Sequence, residues 1–446
     1  MTRRSQTHRP PYLLGIFVQH IIVIVVVAVA YAALAGVSEM VARSPADSWT
    51  VWLASGVVLG LLLALRRSRW FAVLAGGFIG AAGFALHLGS GLLEAIGYGA
   101  IEVIASGGAA LIVSRLTELP MRLTSARELA TLIVAGALPL ALLGALLATA
   151  WHIAAGGGNS MATLRVWAIA NFIGTLLVAP VVIAWAQFRP RRSGGLTMPE
   201  FAGGAVACAM FLGSMWLLFD SRVDERFGGS VGESLTYVPI VFMALLALLW
   251  GTRGATLAAF LGALIVIVNT AQGEGPFAGV EGFLGEAELE VEGYALAIAL
   301  TGLLIATLDA SQHVAMRAAR DWQTRFEATI GAHRLLAYEW DPASGRLAVT
   351  GDSLQLVGVP PTQLGTLADW LALVVSDERE RVGGGFDART AGAGDADTLT
   401  YLIRGPGGSV LAATDEARAI RDHDGELHRV VGLVRISATA SADTSA

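Results

Sequence analysis

Two glutamates, Glu94 and Glu102, interrupt the otherwise apolar run Leu92–Val113. An ionisable group inside a lipid-spanning helix costs at least a few kcal/mol and usually marks function. The two lie eight residues apart, roughly on the same side of a helix. A carboxyl there can stay protonated, or meet a cation or a polar ligand in the centre of a bundle. Glu94 lies near the end of its run, where water can solvate it, whereas Glu102 is deeper. Asn171 with Gly174 offers a polar group and a close-approach face, for a ligand or for a hydrogen bond to a neighbouring helix. Trp52 and Ser55 open a further apolar run, where tryptophan is also the expected interface anchor. His152 and Arg165 flank the segment before the run that holds Asn171, placed to meet an anion or simply to be loop residues. The candidate signal-binding set is therefore Glu102, Glu94, Asn171, Trp52, Ser55 and Arg165.

Such residues need a bundle around them, and the composition supplies one. The 446 residues are 54% hydrophobic and 15% charged, against about a quarter charged in soluble proteins, and the mean hydropathy is +0.62. Ten runs approach the roughly 17–25 apolar residues that a span needs. They are Leu13–Val37, Thr50–Leu65, Trp70–Leu86, Leu92–Val113, Leu129–Trp151, Val166–Phe188, Phe201–Phe219, Leu235–Trp250, Ala255–Val268 and Tyr294–Leu308. If the short ones fail, eight remain. The first run is too long for a signal peptide and is expected to stay in the mature protein.

The intervening loops are poor in arginine or acidic, and every second loop carries basic residues, all arginine. They are Arg3, Arg4 and Arg9; Arg66, Arg67 and Arg69; Arg115, Arg122 and Arg127; Arg189, Arg191 and Arg192; Arg253; and Arg317 with Arg320. The stretch Gly273–Glu292 is acidic, with Glu281 among its six glutamates. Arginine concentrates on the cytoplasmic side. The reading is a multi-pass protein of the bacterial inner (plasma) membrane with both termini cytoplasmic. A net charge of −6 argues against nucleic acid as a partner. The single cysteine, Cys208, excludes a disulfide framework.

After Leu308 the chain turns polar without a break. Gln312, Ala315, Ala319, Trp322, Phe326 and Thr329 alternate at three- and four-residue spacing, a two-heptad seam on a helix leaving the membrane. The seam fits either packing on the chain's own tail domain or a parallel homodimer that carries a signal. Beyond it the pattern becomes α+β, with strands at Leu335–Trp340 and Arg346–Thr350 and helical stretches at Ser353–Val357, Leu367–Val375 and Asp377–Val382. A glycine-rich stretch, Gly383–Gly394, then leads to strands Thr398–Arg404, Ser409–Ile420 and Leu427–Ile436. This predicts one antiparallel five-stranded sheet with its helices on one side.

The tail, over Trp322–Ala438, resembles a PAS domain. The likeness rests on Tyr401-Leu-Ile-Arg-Gly-Pro-Gly-Gly-Ser409 and on Ile420-Arg-Asp-His-Asp-Gly425 followed by Val430-Val-Gly-Leu-Val434. The coupling motif that usually closes such domains is replaced by Arg435-Ile-Ser-Ala438. The membrane block over Leu13–Gln312 resembles the bacterial membrane-associated sensor domain of the first type (MASE, class one). That likeness rests on Trp52-Leu-Ala-Ser-Gly56, Gly99-Ala-Ile-Glu102, Asn171-Phe-Ile-Gly174 with Pro180, Trp250-Gly-Thr-Arg-Gly254 and Gly273-Glu-Gly-Pro-Phe277. Through it Glu102 matches a family glutamate. The resemblance implies sensor input ahead of kinase or cyclic-di-GMP-synthesising domains.

The expected architecture is a polytopic α-helical membrane bundle plus a small cytosolic α+β PAS-like domain. Its parts are a sensor block 1–312, a helical linker 313–330, the PAS-like domain 331–438 and a disordered polar tail 439–446. No phosphate-binding loop, kinase or cyclase signature, or His-Glu-x-x-His metal motif is present, so no enzyme activity is expected. Covalent flavin photochemistry is excluded because Cys208 lies in the membrane block. Haem is not expected, since His333, His423 and His428 lie near turns or strand ends. The expected function is a sensor of an unknown small-molecule or membrane signal. Ala315, Ala319, Trp322 and Phe326 would relay it to a separate histidine kinase or diguanylate cyclase. The alternative is a transporter with a regulatory cytosolic domain.

Overall fold

The computed structural model describes residues 11–41, 51–156, 160–186, 197–220, 235–277, 286–391 and 397–438. The expected arginines at positions 3, 4, 9, 189, 191 and 192, Glu281 and the tail 439–446 lie outside the described residues. The chain divides into two compact units between Val314 and Ala315.

Lipid offers backbone amides no hydrogen-bond partner, so apolar runs become helices. Those of the first unit are α1 (Pro11–Val41), α2 (Ala54–Ala64), α3 (Trp70–His87), α4 (Leu92–Leu116), α5 (Ala126–Thr131) and α6 (Leu138–Ala154). They continue as α7 (Ser160–Ala186), α8 (Met198–Phe219), α9 (Val238–Ala271) and α10 (Glu286–Ala332). Between α5 and α6 the backbone winds as a π-helix, Leu132–Ala137. Eight described helical stretches are long and apolar enough to cross a membrane. The short expected runs take particular forms here. The run Thr50–Leu65 becomes an extended stretch, 51–53, followed by the 11-residue α2. The runs Leu235–Trp250 and Ala255–Val268 become one element, α9, broken at Gly251 (φ 61, ψ −154).

That break reverses the chain. A Cβ on Gly254 would lie 3.1 Å from the Leu246 carbonyl oxygen, whereas eight residues of straight helix span about 12 Å. The neighbours of the two arms agree. Trp250 packs on Gly204 near the start of α8, and Gly262 meets Phe211 further along it. Before the break, the Thr236 carbonyl accepts a 2.6 Å bond from Tyr294, whose ring lies against Phe219 at the end of α8. The two arms are antiparallel, so a left-handed glycine makes two passes of one apparent helix.

The described arginines of the connecting turns gather at one end of this bundle, while Arg165, near the start of α7, lies at the other. Glycines 56 and 60 of α2 pack on Val178 and Val182 of α7, so the two helices run parallel and finish together. Arg253 donates to the Ala184 carbonyl near the end of α7 (3.3 Å), and Arg67 to the Ser114 carbonyl near the end of α4 (3.2 Å). His20 of α1 contacts the Ser68 carbonyl at the same end. Helix α10 has Tyr294 at the opposite end, beside Phe219, and therefore leaves at the arginine end.

The second unit holds β1 (Leu335–Asp341), β2 (Arg346–Thr350), α11 (Ser353–Val357), α12 (Leu367–Leu373), α13 (Arg379–Ala391), β3 (Asp397–Arg404), β4 (Val410–Arg421) and β5 (Leu427–Ala438). The sheet is antiparallel, in the order β2-β1-β5-β4-β3. Its helices bury Trp370, Val382 and Phe386 against Leu336, Tyr401, Ile403, Val430 and Val434. The glycines at 383–385, expected to begin an irregular stretch, lie inside α13. Val382 and Phe386 anchor the helix on the sheet, and a Cβ on Gly385 would come within 2.7 Å of Leu399.

A joint with no room for a side chain is Gly174 of α7, where any Cβ would overlap the Trp52 carbonyl. Gly174→Ala is expected to lower stability by about 1–3 kcal/mol through overpacking. A clear drop in the unfolding midpoint of the detergent-purified protein checks this; an unchanged midpoint would show that the joint gives way freely.

Candidate functional site

The extended stretch 51–53 enters the bundle buried, with Val51 and Leu53 almost fully covered. Irregular backbone at membrane depth persists only where protein or a cavity covers it. Here the Trp52 amide donates to the Ala170 carbonyl of α7 (2.9 Å), and the Leu53 amide to the Ser38 hydroxyl of α1 (3.0 Å). Helix α2 then starts with Ser55 facing α4.

There it meets Glu102, which is 7% exposed. Ser55 Oγ donates to Glu102 Oε2 (2.7 Å), Ser106 Oγ to Oε1 (2.5 Å) and Tyr31 Oη to Oε2 (3.3 Å). Three helices thus contribute hydroxyls to one carboxylate, and both oxygens are served. Charge-assisted bonds of this kind are about twice as strong as neutral ones. Helix packing sets the geometry: α1 and α3 approach so closely that a Cβ on Gly80 would lie 2.7 Å from Tyr31 Cβ.

Around the carboxylate lies a cavity of about 250 Å³. Its walls are Tyr31 of α1, Trp52 and Ser55, Phe84 of α3, Tyr98, Glu102 and Ala105 of α4, Leu140 and Gly144 of α6, and Trp167 and Asn171 of α7. Trp52 stands edge-on to Tyr31 (6.5 Å) and Phe84 (5.9 Å), while Tyr98 and Trp167 stack at 5.8 Å. The Asn171 amide Nδ2 donates to the Trp167 carbonyl (2.9 Å), which leaves its Oδ1 to meet a donor. Leu88 and Ser90, in the α3–α4 turn, complete the lining. The cavity therefore reaches toward the end of the bundle opposite the arginines.

Of the candidate residues, Glu102, Ser55, Trp52 and Asn171 come together at this cavity. Glu94 and Arg165 are not among its lining residues. Eight residues at about 100° each leave a turn of roughly 80° between Glu94 and Glu102, which takes the two glutamates off a shared face. Glu94 instead lies one turn from Tyr98 on α4, and Arg165 is exposed. Trp52 is an inward cavity wall, not a surface anchor. Tyr31, Phe84, Ser106, Tyr98 and Trp167 did not stand out in sequence, although Ser106, one turn from Glu102, was within reach of a helical-spacing reading. On α10, Ala315, Ala319 and Trp322 are exposed, and Trp322 stacks on Phe326 at 5.1 Å. Among the described residues no three His, Cys, Asp or Glu side chains are grouped as metal ligands.

A second polar cluster fills the interior of the C-terminal domain. Arg389 Nη1 of α13 donates to Asp415 Oδ2 of β4 (3.0 Å) and to Tyr338 Oη of β1 (2.7 Å). Tyr338 and Tyr401 donate to the same carboxylate (3.1 and 3.2 Å), and Trp370 Nε1 donates to Tyr401 Oη (3.0 Å). Burial pushes both phenols up, and the Asp415 carboxylate pushes the same way, so both stay protonated donors. The signal for this cluster was present in β4, where Asp415 takes an inward place between Ala413 and Ala417.

Residues 21–312 match the family MASE1. No curated protein matches the chain. Solved structures with likeness include the N-terminal domain of a diguanylate cyclase with PAS/PAC sensor from Marinobacter aquaeolei. It is 16% identical, covering 22% of this chain and 92% of that one at a TM-score of 0.21. Another is a sensory box histidine kinase/response regulator from Burkholderia thailandensis E264. It is 19% identical, covering 26% of this chain and 85% of that one at a TM-score of 0.22.

Removing one member of a buried ion pair strands the other, at about 3–5 kcal/mol. Asp415→Ala is expected to destabilise the C-terminal domain by that much, while the double substitution Arg389→Met with Asp415→Leu regains most of it. Denaturation of the full-length protein, followed by near-ultraviolet circular dichroism, separates the two variants. Equal losses would show that the pair does more than balance its own charges.

Proposed function

The chain belongs to the MASE1 family of membrane-associated sensor domains, and from that premise we propose that its cavity receives the signal and α10 passes it on. The observation that carries this reading is the packing of α10. Leu303 belongs to the same buried cluster as the cavity walls Tyr31, Phe84 and Ala105, and the helix continues without interruption to Ala332. A change of cavity shape then has a packed route into the helix that leads to β1. Packed contiguity of this kind allows coupling; only measured coupling demonstrates it.

In this reading the C-terminal sheet domain is a PAS domain, spanning 331–438 after a linker 313–330. It acts on a separate histidine kinase or diguanylate cyclase. The outer face of its sheet exposes Leu433 and Ile420, a surface suited to a partner. The arginine end of the bundle is the cytoplasmic side of an inner membrane, so both ends of the membrane block face the cytosol. The exposed Ala315, Ala319 and Trp322 form a seam for a second copy of the chain. One observation favours a transporter as the alternative: the extended stretch 51–53 interrupts a pass beside the cavity, as substrate sites of transporters often do.

The test is a crosslinked pull-down of the tagged full-length protein from its native membranes, beside a version ending at Ile330. The chain has no lysine, so a photoreactive crosslinker replaces an amine-reactive one. Recovery of a kinase or cyclase, lost with the shortened chain, is the expected result. Recovery of neither, or of the same partners by both, would remove the relay reading, and solute uptake into vesicles would replace it with transport. For the seam, Ala319→Cys in a Cys208→Ser background is expected to form disulfide dimers in the membrane, and Thr324→Cys on the opposite helix face is not. Equal crosslinking at both positions would leave the seam without support.

A further inference from the structure

We infer that the cavity around Glu102 binds a small organic cation, an amine or quaternary ammonium ion, held between its aromatic walls and the buried carboxylate. This rests on the reading of the cavity as the signal-receiving site and assigns its ligand a chemical class.

Charge comes first. None of the residues lining the cavity is basic, and the three donors to Glu102 are neutral hydroxyls. The same hydroxyls can donate to an ionised carboxylate or accept from a protonated one, and a bound cation selects the ionised form. When ionised, Glu102 is a negative charge held away from water with no basic side chain among the residues lining the cavity, a costly state that a bound cation relieves. The same charge repels carboxylates, phosphates and sulfates.

The walls point the same way. Two separate aromatic groups line the cavity, Trp52 with Tyr31 and Phe84 on one hand and stacked Tyr98 and Trp167 on the other. Faces of tryptophan and tyrosine attract cations, and quaternary ammonium recognition by aromatic cages is their best-known use. Tyr98 and Glu102 are one helical turn apart on α4, so aromatic wall and charge share a face. Asn171 adds an acceptor for an N–H donor. A volume of about 250 Å³ falls below the roughly 300–1,000 Å³ of drug-sized sites, which restricts the ligand to a few heavy atoms. Opposite the arginine end, Glu94 lies at the start of α4, an acid near the approach to the cavity.

The test uses the purified full-length protein in nanodiscs, titrated with tetramethylammonium, choline and ethylammonium. The neutral isostere 3,3-dimethylbutan-1-ol serves as the control of shape. Isothermal titration reads affinity, and tryptophan fluorescence reports on Trp52 and Trp167. At least one cation is expected to bind saturably and at least ten-fold more tightly than the isostere. Glu102→Gln and Trp52→Leu should each weaken that binding ten-fold or more, while Trp52→Phe keeps most of it. Monodispersity and the unfolding midpoint show whether each variant is folded; if Glu102→Gln is not, the Trp52 pair decides. Equal binding of the isostere, binding indifferent to these substitutions, or no saturable binding of any of the three cations would overturn the assignment. The titration involves no partner. A negative result beside intact partner recovery overturns the ligand class alone, while loss of partner recovery with cation binding intact overturns only the relay.

Discussion

A carboxylate inside a membrane bundle must be answered by its neighbours, and much of this structure can be read as the answer to Glu102. The hydroxyls come from Tyr31 on α1, Ser55 on α2 and Ser106 on α4. To bring three helices within hydrogen-bond reach of one residue, their backbones must lie close together. Gly80 lets α3 approach Tyr31, and Gly174 lets the extended stretch before α2 lie on α7. Helix α2 is short because its chain is still extended as it passes Trp52. That extended backbone is tolerated because α1 and α7 take up its amides. The cavity is the space left where these elements converge on the charge without filling the centre.

Much of this was legible in the sequence and some of it was not, for identifiable reasons. Glu102 stood out because a charge in the middle of an apolar run is conspicuous by type. Of its partners only Ser55 was singled out; Tyr31 and Ser106 were not, because tyrosine and serine are unremarkable in membrane helices. Pairing Glu94 with Glu102 failed on helical geometry, since eight residues overshoot two turns. The α9 hairpin was legible as two apolar runs separated by Gly251 and Arg253, although each arm is short. The glycines at 383–385 pointed to irregular backbone, yet Val382 and Phe386 bury enough apolar surface to hold them in a helix. In the C-terminal domain the five strands and their single antiparallel sheet followed from alternation and turn residues, but not their order. The Arg389–Asp415 pair was hidden because its members lie on different elements 26 positions apart.

The two units treat buried charge differently. In the C-terminal domain Arg389 and Asp415 neutralise each other, and two phenols and an indole complete the network. The buried charges there are balanced by the chain itself. In the membrane unit the negative charge has hydroxyl donors but no basic residue among those lining the cavity. The first arrangement favours a fixed core; the second leaves a charge for something from outside to balance.

The π-helix at Leu132–Ala137 has an evolutionary consequence. A π turn holds more residues than an α turn and commonly occurs as a local bulge within an α-helix. Losing one residue there would restore α-helical winding and leave the faces on either side close to their present register. Most single-residue deletions in a membrane helix swing its apolar face out of register along the rest of its length. Here the surplus is already present, so lineages can shorten the chain at this turn without breaking the helix. Descendants that did so would keep the same side chains of α6 facing α4, one residue shorter at the turn.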